Sequence, residues 1–171
     1  MLRTAVLATL ACGAAAADMQ GATPLLATAG GTYLGTDLRK ALETDWGVAG
    51  GLSAMLGESG VLGLPSLDVN VRYAPDGDGS FLSFESGYAE RMLIAQQTWL
   101  GFGFGGNFVR LKLDETPLRA AASERRWQVG GKAMLGYLLT DRIFVEGTYH
   151  YTREALGLDT SSATIALGYW F

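Results

Sequence analysis

The chain has 171 residues, 49% of them hydrophobic and 18% charged, with a net charge of −4 and with 24 glycines against four prolines. That apolar content is too high for a disordered chain, the proline count excludes a proline-rich linker, and the negative charge argues against nucleic acid as a partner. Beyond the N-terminal segment no apolar run approaches the roughly 18 residues a membrane helix needs, which still leaves a membrane protein built from strands.

Met1, Leu2 and Arg3 give a basic start, Thr4 to Ala17 is apolar and alanine-rich, and Ala15-Ala16-Ala17 before Asp18 reads as a cleavage site. Residues 1–17 are therefore expected to be a cleaved secretory signal, and residues 18–171 one domain. The lone cysteine, Cys12, leaves with that signal, so disulfides, thiol catalysis and cysteine metal sites are excluded from the mature chain.

The mature chain alternates apolar and polar residues with a period of two, the signature of half-buried strands. A weak first strand is expected over residues 28–36, and Asp37 to Thr44 can form a helical turn. Trp46, Val48, Leu52, Ala54 and Leu56 then face away from Gly47, Ala49, Gly51 and Ser53. Leu67, Val69, Val71 and Tyr73 oppose Asp68, Asn70 and Arg72, and a turn-prone Pro75-Asp76-Gly77-Asp78-Gly79 leads to Leu82, Phe84 and Tyr88. Glu90 to Gln97 is ambiguous. Leu100, Phe102, Phe104, Gly106 and Phe108 share a face, a polar stretch runs from Asp114 to Glu124, and Trp127 to Leu139 alternates throughout. Thr140 and Asp141 have the spacing of a tight hairpin before Ile143, Val145, Tyr149 and Tyr151. After a turn at Gly157 to Thr160, the last strand puts Ala163, Ile165, Leu167, Tyr169 and Phe171 on one face. Eight strands result.

Three features place the apolar face outward, against lipid. The opposite face is rich in glycine and alanine, which suits an eight-strand interior only wide enough for side chains to fill. The aromatics fall at two levels: Trp46, Tyr73, Phe108, Trp127, Tyr149 and Tyr151 at one rim, Tyr88, Tyr137, Tyr169 and Phe171 at the other, as membrane girdles do. The last strand stops at Phe171 on the apolar face. That ending, Ala163-x-Ile165-x-Leu167-x-Tyr169-x-Phe171, resembles the C-terminal signature of bacterial outer-membrane barrels. By pattern the mature chain resembles the small barrels of the OmpX and OmpA transmembrane-domain type.

The resemblance implies an all-β, eight-stranded antiparallel up-and-down barrel in a Gram-negative outer membrane. It also implies recognition of Ile165, Leu167, Tyr169 and Phe171 by the barrel-assembly machinery. The length agrees, because a band about 25 Å tall crossed by tilted strands takes about 11 residues per strand. Closure is also a necessity in lipid, where a strand edge would leave backbone groups unpaired.

With that face outward, the lumen receives Asp68, Arg72, Glu85, Arg126, Lys132, Glu146 and His150, with Asn70 and Gln128. Three carboxylates against three cations predict a paired polar plug. The expected role is structural or surface-interacting, through outer loops that include Asp76 to Gly79 and Asp114 to Glu124. The expected surroundings are outer-membrane lipid and lipopolysaccharide, with a monomeric chain and no cofactor or metal.

One alternative stays open. The run His150-Tyr151-Thr152-Arg153-Glu154-Ala155 resembles the outer-membrane lipid A deacylases, whose His-x-Ser-Asn-Ala motif lies on the penultimate strand. The resemblance implies a lipid A-modifying enzyme using His150 and Thr152, with Glu154 on the same face. Four strand residues span about 13 Å, too far for a direct His150 to Glu154 hydrogen bond. Two other motifs fail on context. Gly101-x-Gly103-x-x-Gly106 lies inside a strand pattern instead of opening a helix, and Phe81 takes the glycine position of a calcium loop begun at Asp76.

Overall fold

The computed structural model describes residues 24–56, 60–76, 79–115 and 120–171. The expected signal, with Cys12, and residues 57–59, 77–78 and 116–119 lie outside them. The elements in order are β1 (Leu25–Leu34), α1 (Thr36–Leu42), β2 (Trp46–Met55), β3 (Leu64–Asp76), β4 (Gly79–Ala95), β5 (Thr98–Leu113), β6 (Ala122–Leu138), β7 (Ile143–Tyr151) and β8 (Ser162–Trp170). Each strand pairs antiparallel with the next, and β8 returns to β1, closing an eight-stranded barrel. We call the end where β1 begins and β8 finishes the inner end, and the opposite one the outer end.

The register drifts steadily around the wall. Gly30 opposes Ala49, which opposes Arg72, then Ser83, then Val109, then Arg126, a position already near the outer tip of β6. This stagger is the strand tilt that closure requires. It also leaves one side of the wall taller. β6 starts at Ala122, but its pairing with β7 begins only at Gly131 opposite Tyr151, so the outer part of β6 rises above its neighbour.

Exposure follows the expected alternation. Trp46, Val69, Phe104, Trp127, Val129, Tyr149, Ile165 and Leu167 face outward and are exposed, whereas Asp68, Arg72, Glu85 and Lys132 face inward and are buried. A surface that is apolar outside and polar inside inverts the arrangement of a water-soluble barrel.

Several stretches differ from the sequence expectation. β1 is Leu25–Leu34 rather than residues 28–36, because Gly35 and Thr36 already open α1, and Pro75, Asp76 and Gly79 of the expected turn are strand, with Asp76 paired to Gly79. β4 does not stop near Tyr88 but runs through the ambiguous Glu90 to Gln97 region as far as Ala95, with a register irregularity between Leu93 and Ala95. Its inner end is held by Glu90, whose carboxylate accepts the backbone N–H groups of Val61 at 3.2 Å and Gly63 at 3.1 Å, that of Leu62, and the Tyr88 hydroxyl. β6 begins at Ala122, so the end of the Asp114 to Glu124 polar stretch is strand. The helical turn expected at residues 37–44 is α1, with Leu38 and Leu42 one turn apart and fully buried.

Both ends of the interior are apolar. At the outer end α1 folds over the mouth and packs Leu38 and Leu42 against Leu34, Ala74, Phe81, Val109, Leu111 and Leu113. At the inner end Leu26, Met55, Trp99 and Phe144 form a second layer, with Trp170 against it. Trp99 and Phe144 meet edge to face with centroids 5.2 Å apart. Glycines make room for them: a Cβ on Gly136 would lie 2.0 Å from the Trp99 ring, and one on Gly168 2.0 Å from the Phe144 ring.

Candidate functional site

Between the two apolar layers lies a continuous buried network. Because alternate residues of every strand point inward, strands β3, β4, β6 and β7 each deliver charged side chains into the lumen, at successive levels along its axis. The Trp99 indole donates from the inner layer to Glu146 at 3.2 Å. Glu146 lies 3.3 Å from Arg91, Arg91 3.3 Å from Asp68, Asp68 2.9 Å from Lys132, Lys132 3.2 Å from Glu85, and Glu85 3.7 Å from Arg72. Acid and base alternate along the whole chain of contacts.

Neutral donors and acceptors fill in many of the remaining valences, although Arg72 Nε, Asn70 Nδ2, Asn107 Nδ2 and the Gln128 amide have no hydrogen-bond partner among the described residues. Arg91 donates to Ser66 at 2.7 Å and to Ser53 at 3.4 Å, and Ser66 donates to Asp68 at 2.7 Å. Arg72 donates to Ser162 and to Ser83, each at 2.6 Å, and Ser83 passes a bond to Asn107 at 2.9 Å. The six charged groups therefore sum to zero and each is hydrogen-bonded, which is how charge survives out of water.

Six of the seven residues expected in the lumen lie in this network: Asp68, Arg72, Glu85, Lys132, Glu146 and His150. Arg126 does not. Its side chain is half exposed, 3.8 Å from Glu124, and it donates to the Glu154 carbonyl at 3.4 Å. Parity points Arg126 inward, but it sits on the part of β6 that overtops β7, where no opposite wall encloses it. Its place in the charge balance is taken by Arg91, which bridges Asp68 and Glu146. The signal was present in the sequence, since Arg91 has the same parity as Glu85, but the apolar run Met92-Leu93-Ile94 after it broke the alternation.

His150 is 3% exposed, and its Nδ1 lies 2.9 Å from Glu85 Oε2. Thr152 instead shares a 2.7 Å hydrogen bond with Thr160, whose hydroxyl also reaches the Arg153 carbonyl. No hydrogen bond among the described residues joins His150 to Thr152 or Glu154, and the carboxylate at the histidine comes from β4. The cavity beside His150, bounded also by Asn70, Arg72, Glu146 and Thr148, measures about 20 Å³. That is room for one water molecule and far below the size of a small-molecule pocket.

A larger groove of about 450 Å³ opens on the outside, at the step between β6 and β7, lined by Arg126, Tyr149, Tyr151, Arg153, Glu154 and Asp159. The β7–β8 connection beneath it is held by a turn at Ala155 to Leu158, whose end residues exchange bonds of 3.0 and 2.9 Å. Leu156 and Gly157 have φ of 52° and 72° there, the left-handed pair of a hairpin turn.

No family model and no curated protein matches the sequence. Solved structures do. The N-terminal barrel domain of Pseudomonas aeruginosa OprF superposes with a TM-score of 0.64 at 13% identity, over 89% of this chain and all of that one. Ail of Yersinia pestis gives 0.63 at 12% identity over 88% and 99%. Neisserial surface protein A gives 0.53 at 13% identity over 86% and 94%. At such identities the likeness concerns the backbone, and it agrees with the closed register and the outward apolar face: the chain has the fold of the small eight-stranded outer-membrane barrels of the OmpA and OmpX type.

Proposed function

We propose that this protein is an integral outer-membrane barrel that conducts nothing through its lumen and acts at the cell surface through its outer connections. One observation carries the reading: the interior is filled end to end, with apolar layers above and below a neutral charge network, while the outer rim is uneven and chemically varied. A side chain-filled eight-strand barrel has no water path. What is left for interaction is the rim, with its overtopping β5–β6 hairpin and the groove beside it. Ail, which has this fold, is described as an attachment invasion locus protein and has been crystallised in complex with the heparin analogue sucrose octasulfate.

Export by a leader at residues 1–17, and recognition of Ile165, Leu167, Tyr169 and Phe171 by the assembly machinery, belong to the same proposal. The outward face of β8 supports the latter, with Tyr169 and Phe171 stacked edge to face at 5.0 Å on the inner rim. The test has two arms. Purified protein in planar bilayers should give no resolved conductance, and protease or thiol labelling on whole cells should reach single cysteines placed at Asp114 and Glu154. Steady ion conductance, or labelling only after the outer membrane is breached, would refute the proposal.

A further inference from the structure

One pairing on the outer face runs against the economy of the rest. On the outward side of the β5–β6 hairpin the opposed pairs, going outward, are Gly106 with Val129, Phe108 with Trp127, and Arg110 with Arg125. Phe108 and Trp127 stack at 5.2 Å in the outer aromatic girdle. The arginines stand one outward-facing position beyond, about 7 Å farther along the strands, at the level where headgroups replace hydrocarbon. Like charges directly opposite each other destabilise a sheet.

Among the described residues no carboxylate forms an ion pair with either arginine. Asp68, Glu85 and Glu146 are already paired with cations of the lumen, Glu124 turns inward to Arg126 and the Leu156 N–H, and Asp114 lies 2.6 Å from Lys112. On the β4 side Arg110 is opposed by Leu82. Neither Arg110 nor Arg125 has an ion pair among the described residues, and the Arg110 Nε is shielded from solvent without a hydrogen-bond partner. Because β7 ends at Tyr151, the flank of Arg125 is open to the surrounding leaflet.

We infer that Arg110 and Arg125 form a clamp for the phosphate of an outer-leaflet glycolipid headgroup. The inference rests on the outer-membrane reading above. Two guanidinium groups carried on directly opposed positions suit one phosphate, which can accept paired bonds from both and cancel their repulsion. The exposed Trp127 ring beneath supplies an amphipathic floor for the sugar that carries it. The lipid source is favoured over a dissolved anion because the pair sits directly on the girdle, where a tethered headgroup is already concentrated.

The test uses the full mature chain in phosphatidylcholine vesicles with added lipid A, either bis-phosphorylated or enzymatically dephosphorylated, comparing wild type with R110Q/R125Q. Wild type should bind the phosphorylated form saturably, and the variant about tenfold or more weakly, the loss expected for charge-assisted bonds. The stability effect should change sign: the variant unfolds at higher denaturant than wild type in pure phosphatidylcholine and at lower denaturant once phosphorylated lipid A is present. Equal binding of dephosphorylated lipid A, or an unchanged variant, overturns the clamp. Displacement of lipid A by equimolar inorganic phosphate overturns the lipid source. A gel shift on boiling confirms that each sample is a folded barrel, so failure of the membrane reading shows as no insertion at all, apart from failure of the clamp.

Discussion

His150 Nδ1 and Glu85 Oε2 lie 2.9 Å apart across the barrel interior, joining β7 to β4 rather than His150 to a hydroxyl on its own strand. Glu85 also contacts Lys132 and Arg72, so this carboxylate is the outer hub of the network. Replacing Glu85 by Ala leaves two buried cations short of a partner and should cost about 3–5 kcal/mol in urea unfolding from vesicles. A H150A variant should leave the lipid A mass profile of the host unchanged, and a shift in acyl chain number that depends on His150 would revive the deacylase alternative.

Arg91 and Arg126 make a matched comparison. Both have inward parity, but Arg91 is buried between Asp68 and Glu146 whereas Arg126 is half exposed at the rim. R91M should destabilise by about 3–5 kcal/mol, chiefly by stranding Glu146, because Asp68 keeps Lys132. R126Q should stay within about 0.5 kcal/mol of wild type. Similar effects of the two substitutions would show that the exposed rim position is energetically closed.

The inner layer depends on absent side chains. A Cβ at Gly136 collides with the Trp99 ring, and the wall on both sides leaves the indole nowhere to go without breaking its bond to Glu146. G136V should cost about 1–3 kcal/mol by overpacking, read as a lower urea midpoint. G147V, on the outward face where no atom other than one at 3.9 Å would meet a Cβ, serves as the control and should cost much less.

Two independent layers close the lumen. L38A and L42A, in the helix over the outer mouth, should each cost about 2–5 kcal/mol. The double variant should nevertheless remain non-conducting in planar bilayers, because the charge network and the Trp99 and Phe144 layer still fill the barrel. Channels appearing in L38A/L42A would mean that the outer layer alone is the seal.

Period-two alternation made most of the wall legible from the residues, since it is a local property of each strand: β7 and β8 were placed nearly to their ends, β3 was found but cut three residues short at each end, and the lumen parity of Asp68, Glu85, Lys132, Glu146 and His150 followed. It failed where a local rule was interrupted. Met92-Leu93-Ile94 hid the inner third of β4, and with it Arg91. It also could not warn that Arg126 stands above the wall, because parity gives a direction and not a depth.

Alternation along single strands was enough to give the strand count and the outward apolar face, but the charge balance of the interior was counted with Arg126 where Arg91 belongs. Which groups pair is set by the closed barrel. Strand tilt sets which residues of separate strands share a level, and so it paired His150 with Glu85, put Arg91 between Asp68 and Glu146, left Arg126 at an open step, and brought Arg110 against Arg125 on the outside.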